Sequence, residues 1–280
     1  MTKNLHPSLQ EKMQQLEEWF AGREGSIVAF SGGIDSSLVL FLSRRFQGKD
    51  KAVGVISNSE SLKDKDFKLA QEFCRQFDIQ LEIIKTGEFD DERYLKNPEN
   101  RCFFCKEHLF RNLQSVRTKY PGFEILSGTN RDDLGDYRPG LQAAALYRVA
   151  SPMAECNLTK EDIRQIARHF GLPNWDKPAS PCLSSRVPYN QQITIEKLRQ
   201  IETAENILNH FGFKNVRVRH YGNVGKIEVP KDEMPKLLQI ESEVMKSMQI
   251  AGFSSLVIDR EGLVSGKLNR GLGKNKSTGT

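Results

Sequence analysis

Long hydrophobic runs are missing from this 280-residue chain. No apolar stretch approaches the roughly 18 residues that a membrane-crossing helix needs. The opening segment MTKNLHPSLQEKMQQLEEWF is polar and partly acidic and lacks the apolar core of a secretion signal, so a soluble, cytoplasmic protein is the expectation. Cysteine is scarce and odd in number, five in all. With no secretion signal, that argues against a disulfide framework and leaves metal binding or catalysis as the better use of any clustered thiols. An excess of one charge is lacking too. Lys and Arg number 41 against 36 Asp and Glu, a net charge of +5, which suits anionic small molecules and does not call for a nucleic acid. Repeats and low-complexity tracts are absent. What remains, 38% hydrophobic and 28% charged residues, is a globular chain with a sizeable core in one large domain or two modest ones.

The chain is organised around residues 27–37, IVAFSGGIDSS. A short apolar run, two glycines and a second apolar run read as buried strand, tight turn and helix start. Gly32 and Gly33 permit torsions that other residues resist and let backbone approach a ligand. A helix beginning there aims unpaired N–H groups and the positive end of its dipole into the turn, which suits an anion such as phosphate. Ser31, Ser36 and Ser37 add hydroxyl donors. The Gly-Lys-Ser/Thr ending of a Walker loop is missing, as are the three spaced glycines of the dinucleotide fingerprint. SGGIDSS instead resembles the pyrophosphate loop (PP-loop) of the N-type ATP pyrophosphatases. Those enzymes cleave ATP between its α and β phosphates and adenylate a carboxylate or carbonyl oxygen. The resemblance implies that Ser31, Gly32, Gly33, Asp35, Ser36 and Ser37 bind ATP. An ordinary strand-turn-helix with capping serines is the competing reading.

The rest of the pattern is α/β, an open parallel sheet. Leu9, Met13, Leu16 and Phe20 mark a helix over residues 5–21. Strands follow at 52–57 and 81–84 with a helix at 64–77 between them, and strand-helix-strand crossovers imply parallel pairing. Ser57 ends its strand at the same sheet edge as the phosphate loop, where open α/β sheets bind nucleotides, so backbone near Ser57 is expected to meet the adenine. Residues 88–99 read as a polar loop, and a CxxC, Cys102 to Cys105, leads into a helix at 107–113. A strand at 124–128 opens into a loop at 129–140 dense in carboxylates and arginines. A short helix at 141–147, an edge strand at 148–152 and a helix at 159–170 follow. The prolines of residues 177–186 forbid regular helix around Cys182. A boundary is expected at Pro188, giving a PP-loop domain over 1–188 and a small α+β domain for substrate or oligomerisation over 189–270. The latter holds a helix at 194–211, a hairpin 216–221/224–229, a helix at 230–249 and a strand at 255–258. Residues 271–280 are expected to be a disordered tail.

Cys102 and Cys105 fit a redox pair, part of a metal site, or coincidence. No second close pair completes a zinc site, but Cys182 is a possible third member, and three thiolates leave one iron of a [4Fe–4S] cluster open to a further ligand such as sulfide. Cys182 alone is also a candidate nucleophile beside Lys177 and Arg186. Cys74 and Cys156 read as structural. Arg217 and Arg219 share one strand face and suit a phosphate or carboxylates, unless acids such as Glu228 pair with them. Asp132, Asp133 and Asp136 offer Mg²⁺ ligands against the ATP phosphates, with some of the three serving as loop caps.

Taken together, SGGIDSS, residues 136–140 (DYRPG), LSSR at 183–186 with Pro188-Tyr189, and the VRVR strand at 216–219 resemble the LarE family of ATP-dependent sulfurtransferases, over about residues 27–266. The resemblance implies adenylation of pyridinium-3,5-biscarboxylic acid mononucleotide, release of pyrophosphate, and displacement of AMP by sulfur to give thiocarboxylates for the nickel-pincer cofactor of lactate racemase. One branch of the family sacrifices the sulfur of a single cysteine. The other holds a [4Fe–4S] cluster on three cysteines, and Cys102, Cys105 and Cys182 place this chain with it. ATP, Mg²⁺ (with Asp133 and Asp136 as ligands) and the cluster are then the cofactors. Arg217 and Arg219 grip the substrate phosphate with Glu205 nearby, and Arg186 and Arg138, inside the shared motifs, join the substrate set. A homohexamer, and a sulfide source or a downstream nickel-inserting protein as partner, are also implied. The alternatives are a tRNA thiolase, which also joins a PP-loop to three cysteines, a ligase that uses no sulfur, and a nucleotide-binding regulator without activity.

Overall fold

Ile27 and Ala29 point to one side of the first strand and Val28 and Phe30 to the other, and both sides are buried. Such a strand needs helices on both faces of its sheet, and the computed structural model supplies them. It describes residues 5–135, 139–264 and 266–271. In chain order the elements are α1 (Pro7–Ala21), β1 (Ser26–Ala29), α2 (Ile34–Gln47), β2 (Ala52–Ser57), α3 (Asp64–Gln76), β3 (Gln80–Ile84), α4 (Glu92–Leu95), α5 (Arg101–Arg117), β4 (Glu124–Leu126), α6 (Pro139–Leu146), α7 (Pro152–Glu155), α8 (Lys160–His169), α9 (Ile195–His210), β5 (Arg217–Tyr221), β6 (Val224–Glu228), α10 (Met234–Gln239), α11 (Glu241–Ser247) and β7 (Ser255–Ile258).

The chain divides into two compact units. The first comprises residues up to Asp90 and 100–180. Its parallel sheet has the order β3-β2-β1-β4. One face packs against α1, α2, α3 and α8 through Leu16, Phe20, Leu38, Leu42, Phe73 and Ile166. The other packs against α5 and α6 through Phe110, Leu113 and Ala143. Each fully buried Leu or Phe contributes roughly 1.5–3 kcal/mol. Residues 148–152 form no strand; Ala150 makes a single bridge to Leu126. Thr159 caps α8 with a capping box closed by Asp162. Gly128, just past β4, has no room for a side chain, since a Cβ there would lie 2.6 Å from Ser36 N.

The second unit comprises residues 91–99 and those from 181 onward. The division therefore falls earlier than the expected Pro188, and the polar stretch before the CxxC belongs with the later residues. The reason is burial. Tyr94 and Asn97 are almost wholly enclosed, the Tyr94 hydroxyl meets Ser184 Oγ at 2.6 Å, and Asn97 donates to the carbonyls of Val187, Pro188 and Gln191. Strand order is β5-β6-β7, with β5/β6 antiparallel across Gly222 and β6/β7 parallel. The expected single helix at 230–249 is broken. Pro235 sits in the first turn of α10, a place where proline is tolerated, and Ile240 leaves helical geometry between α10 and α11. Residues 272–280, expected to be disordered, lie outside the described residues. No helix among the described residues is long and apolar enough to cross a membrane.

A lysine closes the end of this unit. Lys267 Nζ lies 2.6 Å from Asp259 Oδ2, and Lys226 Nζ lies 3.0 Å from the same oxygen. Burial alone would raise the Asp259 pKa, but the bonds from Lys267 and Lys226 bring it down to about 2. A depressed carboxylate contributes stability above its unfolded pKa and loses it as pH falls through the folded value. Asp259→Asn is therefore expected to cost about 2 kcal/mol at neutral pH, with the deficit against wild type shrinking between about pH 4 and 2, as read by denaturant unfolding across that range.

Candidate active site

The turn between β1 and α2 is built from its own hydroxyls. Gly32 takes φ +69° with α3 pressed against it, so a Cβ would sit 3.2 Å from Ala70 Cβ and 3.3 Å from Asp66 O. Ser36 Oγ accepts from Ser31 N–H at 3.1 Å and donates to Gly33 O at 3.1 Å, closing the loop on itself. Gly33 is the N-cap of α2, and no side chain caps the helix. The helix starts at Ile34, four residues earlier than its apolar run suggests, which sets Asp35 and Ser36 in the first turn. Ser37 lies deeper. It is buried, its N–H bonds to Gly33 O, and its hydroxyl accepts from Asn174 Nδ2 at 2.8 Å, which fixes it on the inner side of the loop.

Two groups that the sequence reading missed hold this loop. Lys160 Nζ lies 2.5 Å from Asp35 Oδ2, and Asn130 Nδ2 lies 3.3 Å from Oδ1. Asn174 also donates to Gly32 O. Three and six residues on, Lys177 and Ser180 each reach Asp66 at 2.8 Å. Burial pushes the Asp66 carboxyl up, but the Lys177 bond and charge hold it below its ordinary value. The aspartates after β4 act as caps in part. Asp132 Oδ2 accepts from Lys160 N–H at 2.8 Å, and Asp133 Oδ2 from Asn130 N–H at 3.1 Å. Asp136 and Arg138 lie outside the described residues.

At the carboxyl end of β2, Ser57 Oγ lies 2.7 Å from Thr86 Oγ1. Beyond it is Glu88, a carboxylate only 2% exposed in a segment expected to be plain loop. Thr86 donates to its Oε2 and Ser59 to its Oε1.

In the second unit, Arg186 and Glu205 are not open to a substrate. Both are buried. Arg186 Nε reaches Glu205 Oε1 at 2.8 Å and its Nη2 reaches Oε2 at 3.3 Å. Its Nη1 spans the carbonyls of Pro181 and Cys182 and the hydroxyl of Ser185. Glu205 Oε1 also accepts from Val218 N–H at 3.1 Å. These two residues shape the loop that carries Cys182. Arg219 takes the acid-paired alternative, with Nε 2.9 Å from buried Glu228 Oε1 and Nη1 on Ser185 O. Arg217 differs. It is half-buried, stands opposite Glu228 in the ladder, and has no hydrogen bond or ion pair among the described residues. Burial, then the charges of Arg186 and Arg219, lower its pKa against the pull of Glu228 and Glu205.

Cys102 and Cys105 lie inside α5, in its first two turns and three residues apart, so they share a helix face. The helix begins six residues before the expected 107. Cys102 is exposed, Cys105 and Cys182 are half-buried, Cys74 and Cys156 are buried, and all five are free thiols. Burial pushes Cys74 up to about 12 and Cys156 to about 11, as befits packed, unreactive thiols. Among the described residues, no three His, Cys, Asp or Glu side chains are grouped to hold a metal ion.

The sequence has informative relatives. The NAD synthase family profile matches residues 3–101. An uncharacterized protein of Synechocystis sp. is 40% identical over 268 residues, covering 95% of this chain and all of that one. The pyridinium-3,5-bisthiocarboxylic acid mononucleotide synthase of Lactiplantibacillus plantarum is 32% identical over 247 residues, covering 88% of this chain and 90% of its own. A glutamine-hydrolyzing GMP synthase of Thermotoga petrophila is 22% identical over 220 residues, 71% of this chain and 43% of its own.

The Arg186–Glu205 pair is open to direct test. Glu205→Gln strands a buried guanidinium and is expected to cost about 3–5 kcal/mol in denaturant unfolding. Replacing both partners with apolar residues of similar volume should recover much of that loss.

Proposed function

Because the chain belongs to the LarE family, whose Lactiplantibacillus plantarum relative is the pyridinium-3,5-bisthiocarboxylic acid mononucleotide synthase, we propose that it is an ATP-dependent sulfurtransferase for the nickel-pincer cofactor. In this reading it adenylates the carboxylates of pyridinium-3,5-biscarboxylic acid mononucleotide and converts them to thiocarboxylates. The observation that carries the reading is the bare N-terminus of α2 behind a glycine turn. Its free N–H groups and dipole suit the ATP phosphates. A carboxylate is a poor electrophile, and adenylation gives it a leaving group. The loop's donors stabilise charge that develops on departing pyrophosphate. Ser31, Gly32, Gly33, Asp35 and Ser36 serve ATP in this scheme, with backbone near Ser57 against the adenine. Arg217 takes the mononucleotide phosphate, and Arg219 supports it from its pair with Glu228.

Mg²⁺ is assigned to the loop after β4, where Asp133 and Asp136 offer the hard oxygen donors that this ion prefers. The three free thiols are the soft donors of an iron–sulfur site. Cys102, Cys105 and Cys182 would hold a [4Fe–4S] cluster, which when bound would supply the sulfide. In a second reading Cys182, a half-buried free thiol, gives up its own sulfur.

The test of the activity is AMP and pyrophosphate formation that depends on the mononucleotide. Asp35→Ala and Ser36→Ala should abolish it. Arg217→Ala should raise the KM for the mononucleotide roughly 10- to 100-fold, the loss of one charged hydrogen bond, with little change in kcat. Unchanged pyrophosphate release in both loop variants would remove the ATP assignment.

The sulfur source is separated by anaerobic purification and measurement of iron and acid-labile sulfide. About four irons per chain, lost in Cys102→Ala, Cys105→Ala and Cys182→Ala alike, supports the cluster. An iron-free protein even after reconstitution, whose spent form is lighter by one H₂S, supports sacrifice of Cys182.

A further inference from the structure

The hydroxyl network around Glu88 has a direction. Thr86 and Ser59 each spend their single hydroxyl hydrogen on the Glu88 oxygens, Oε2 and Oε1. Thr86 then has none left for Ser57, and the 2.7 Å contact between them must be donated by Ser57. On the other arm, Ser61 must likewise donate to Ser59, 3.1 Å away, while its N–H bonds to the same oxygen. Glu88 thus polarises four hydroxyls toward itself, from the loops after β2 and β3. The outcome at the end of the relay is specific. Ser57 Oγ, half-buried at the carboxyl end of β2, keeps only lone pairs to offer a ligand.

We propose that this relay selects the base of the nucleotide, with Glu88 acting through Thr86 to fix Ser57 Oγ as an acceptor for the exocyclic amine of adenine. The inference rests on the reading that ATP lies at this sheet edge with its adenine near Ser57. Adenine carries an amine donor at position 6. Hypoxanthine and guanine carry a carbonyl there, which would face an acceptor with nothing to donate. A site built to pair with a donor rejects the analogue that lacks it, because the polar group is left unpaired. Glu88 is in this scheme a positioning residue, and Ser57 is the group that touches the base.

The probes are ATP and ITP, which share ribose and phosphates, with equilibrium binding of each followed by calorimetry in the full-length protein. Wild type should prefer ATP by about tenfold or more, the worth of one hydrogen bond. Ser57→Ala should bring the ratio to near one. Thr86→Val releases the Ser57 hydroxyl to donate, so ITP should bind more tightly than it does to wild type; a merely structural role would not produce such a gain. Ser57→Ala and Thr86→Val together decide the matter. ATP binding with the same ATP/ITP ratio in every folded variant would overturn the relay and leave the nucleotide site standing. Failure of wild type to bind either nucleotide would overturn the site itself, and the relay with it.

Discussion

The second unit hangs on the buried pair of Arg186 and Glu205. Two charges taken out of water cost several kcal/mol each unless every polar atom finds a partner, and here nearly every one does. Arg186 spends its donors on Glu205, on the carbonyls of Pro181 and Cys182, and on Ser185. Glu205 receives, besides Arg186, the N–H of Val218. One ion pair thereby joins α9, the Cys182 loop and β5. The consequence reaches further through Arg219, which bonds Ser185 O and Glu228. The position of the Cys182 backbone and that of the strand bearing Arg217 are set by the same charges. A hydrophobic substitute could match the stability, but it could not supply the Nη1 donors that meet the carbonyls of Pro181 and Cys182 and the Ser185 hydroxyl.

The first unit solves a different problem, keeping a helix end bare. Uncapped N–H groups are normally met by a side chain within the first turn. Here Ser36, the residue best placed to cap, turns its hydroxyl to Gly33 O and Ser31 N–H, and Asp35 is drawn aside by Lys160 and Asn130. Gly128 lets β4 approach to within contact of Ser36 N, and Gly32 admits α3. The loop is held from outside by groups that do not fill it.

Much of this was legible in the sequence. The phosphate loop, the four-strand parallel sheet, the hairpin and the buried face of α1 follow from periodicities of 2 and 3.6 and from paired glycines. The residues missed have a common character. Lys160, Asn174 and Glu88 are polar groups whose partners lie from 2 to 142 residues away, and no local pattern announces such pairing. The same holds for residues 91–99, whose polar composition reads as loop although Tyr94 and Asn97 are core. Arg186 and Glu205 fit the converse case. Their residue types suit anion binding, and only burial reveals that both are spent on each other. A spaced acid just past a strand end, as Thr86-x-Glu88 follows β3, is the one faint signal that could have been followed.

Among the described residues, the charge balance of the second unit leaves Arg217, and not its neighbours, without a paired acid. Three guanidiniums, those of Arg186, Arg217 and Arg219, face two carboxylates, Glu205 and Glu228. Each carboxylate has already chosen: Glu205 pairs with Arg186 and Glu228 with Arg219. Lys267 does not reverse the balance, because it approaches Glu228 while answering chiefly to Asp259. The surplus is one positive charge on a half-buried side chain, whose pKa is lowered by burial first and then by two like charges. A partly desolvated, uncompensated cation is unfavourable by itself, and a rigid scaffold keeps one at the expense of stability where an anion is to complete it. In the function proposed above, the phosphate of the mononucleotide is the anion that would complete it.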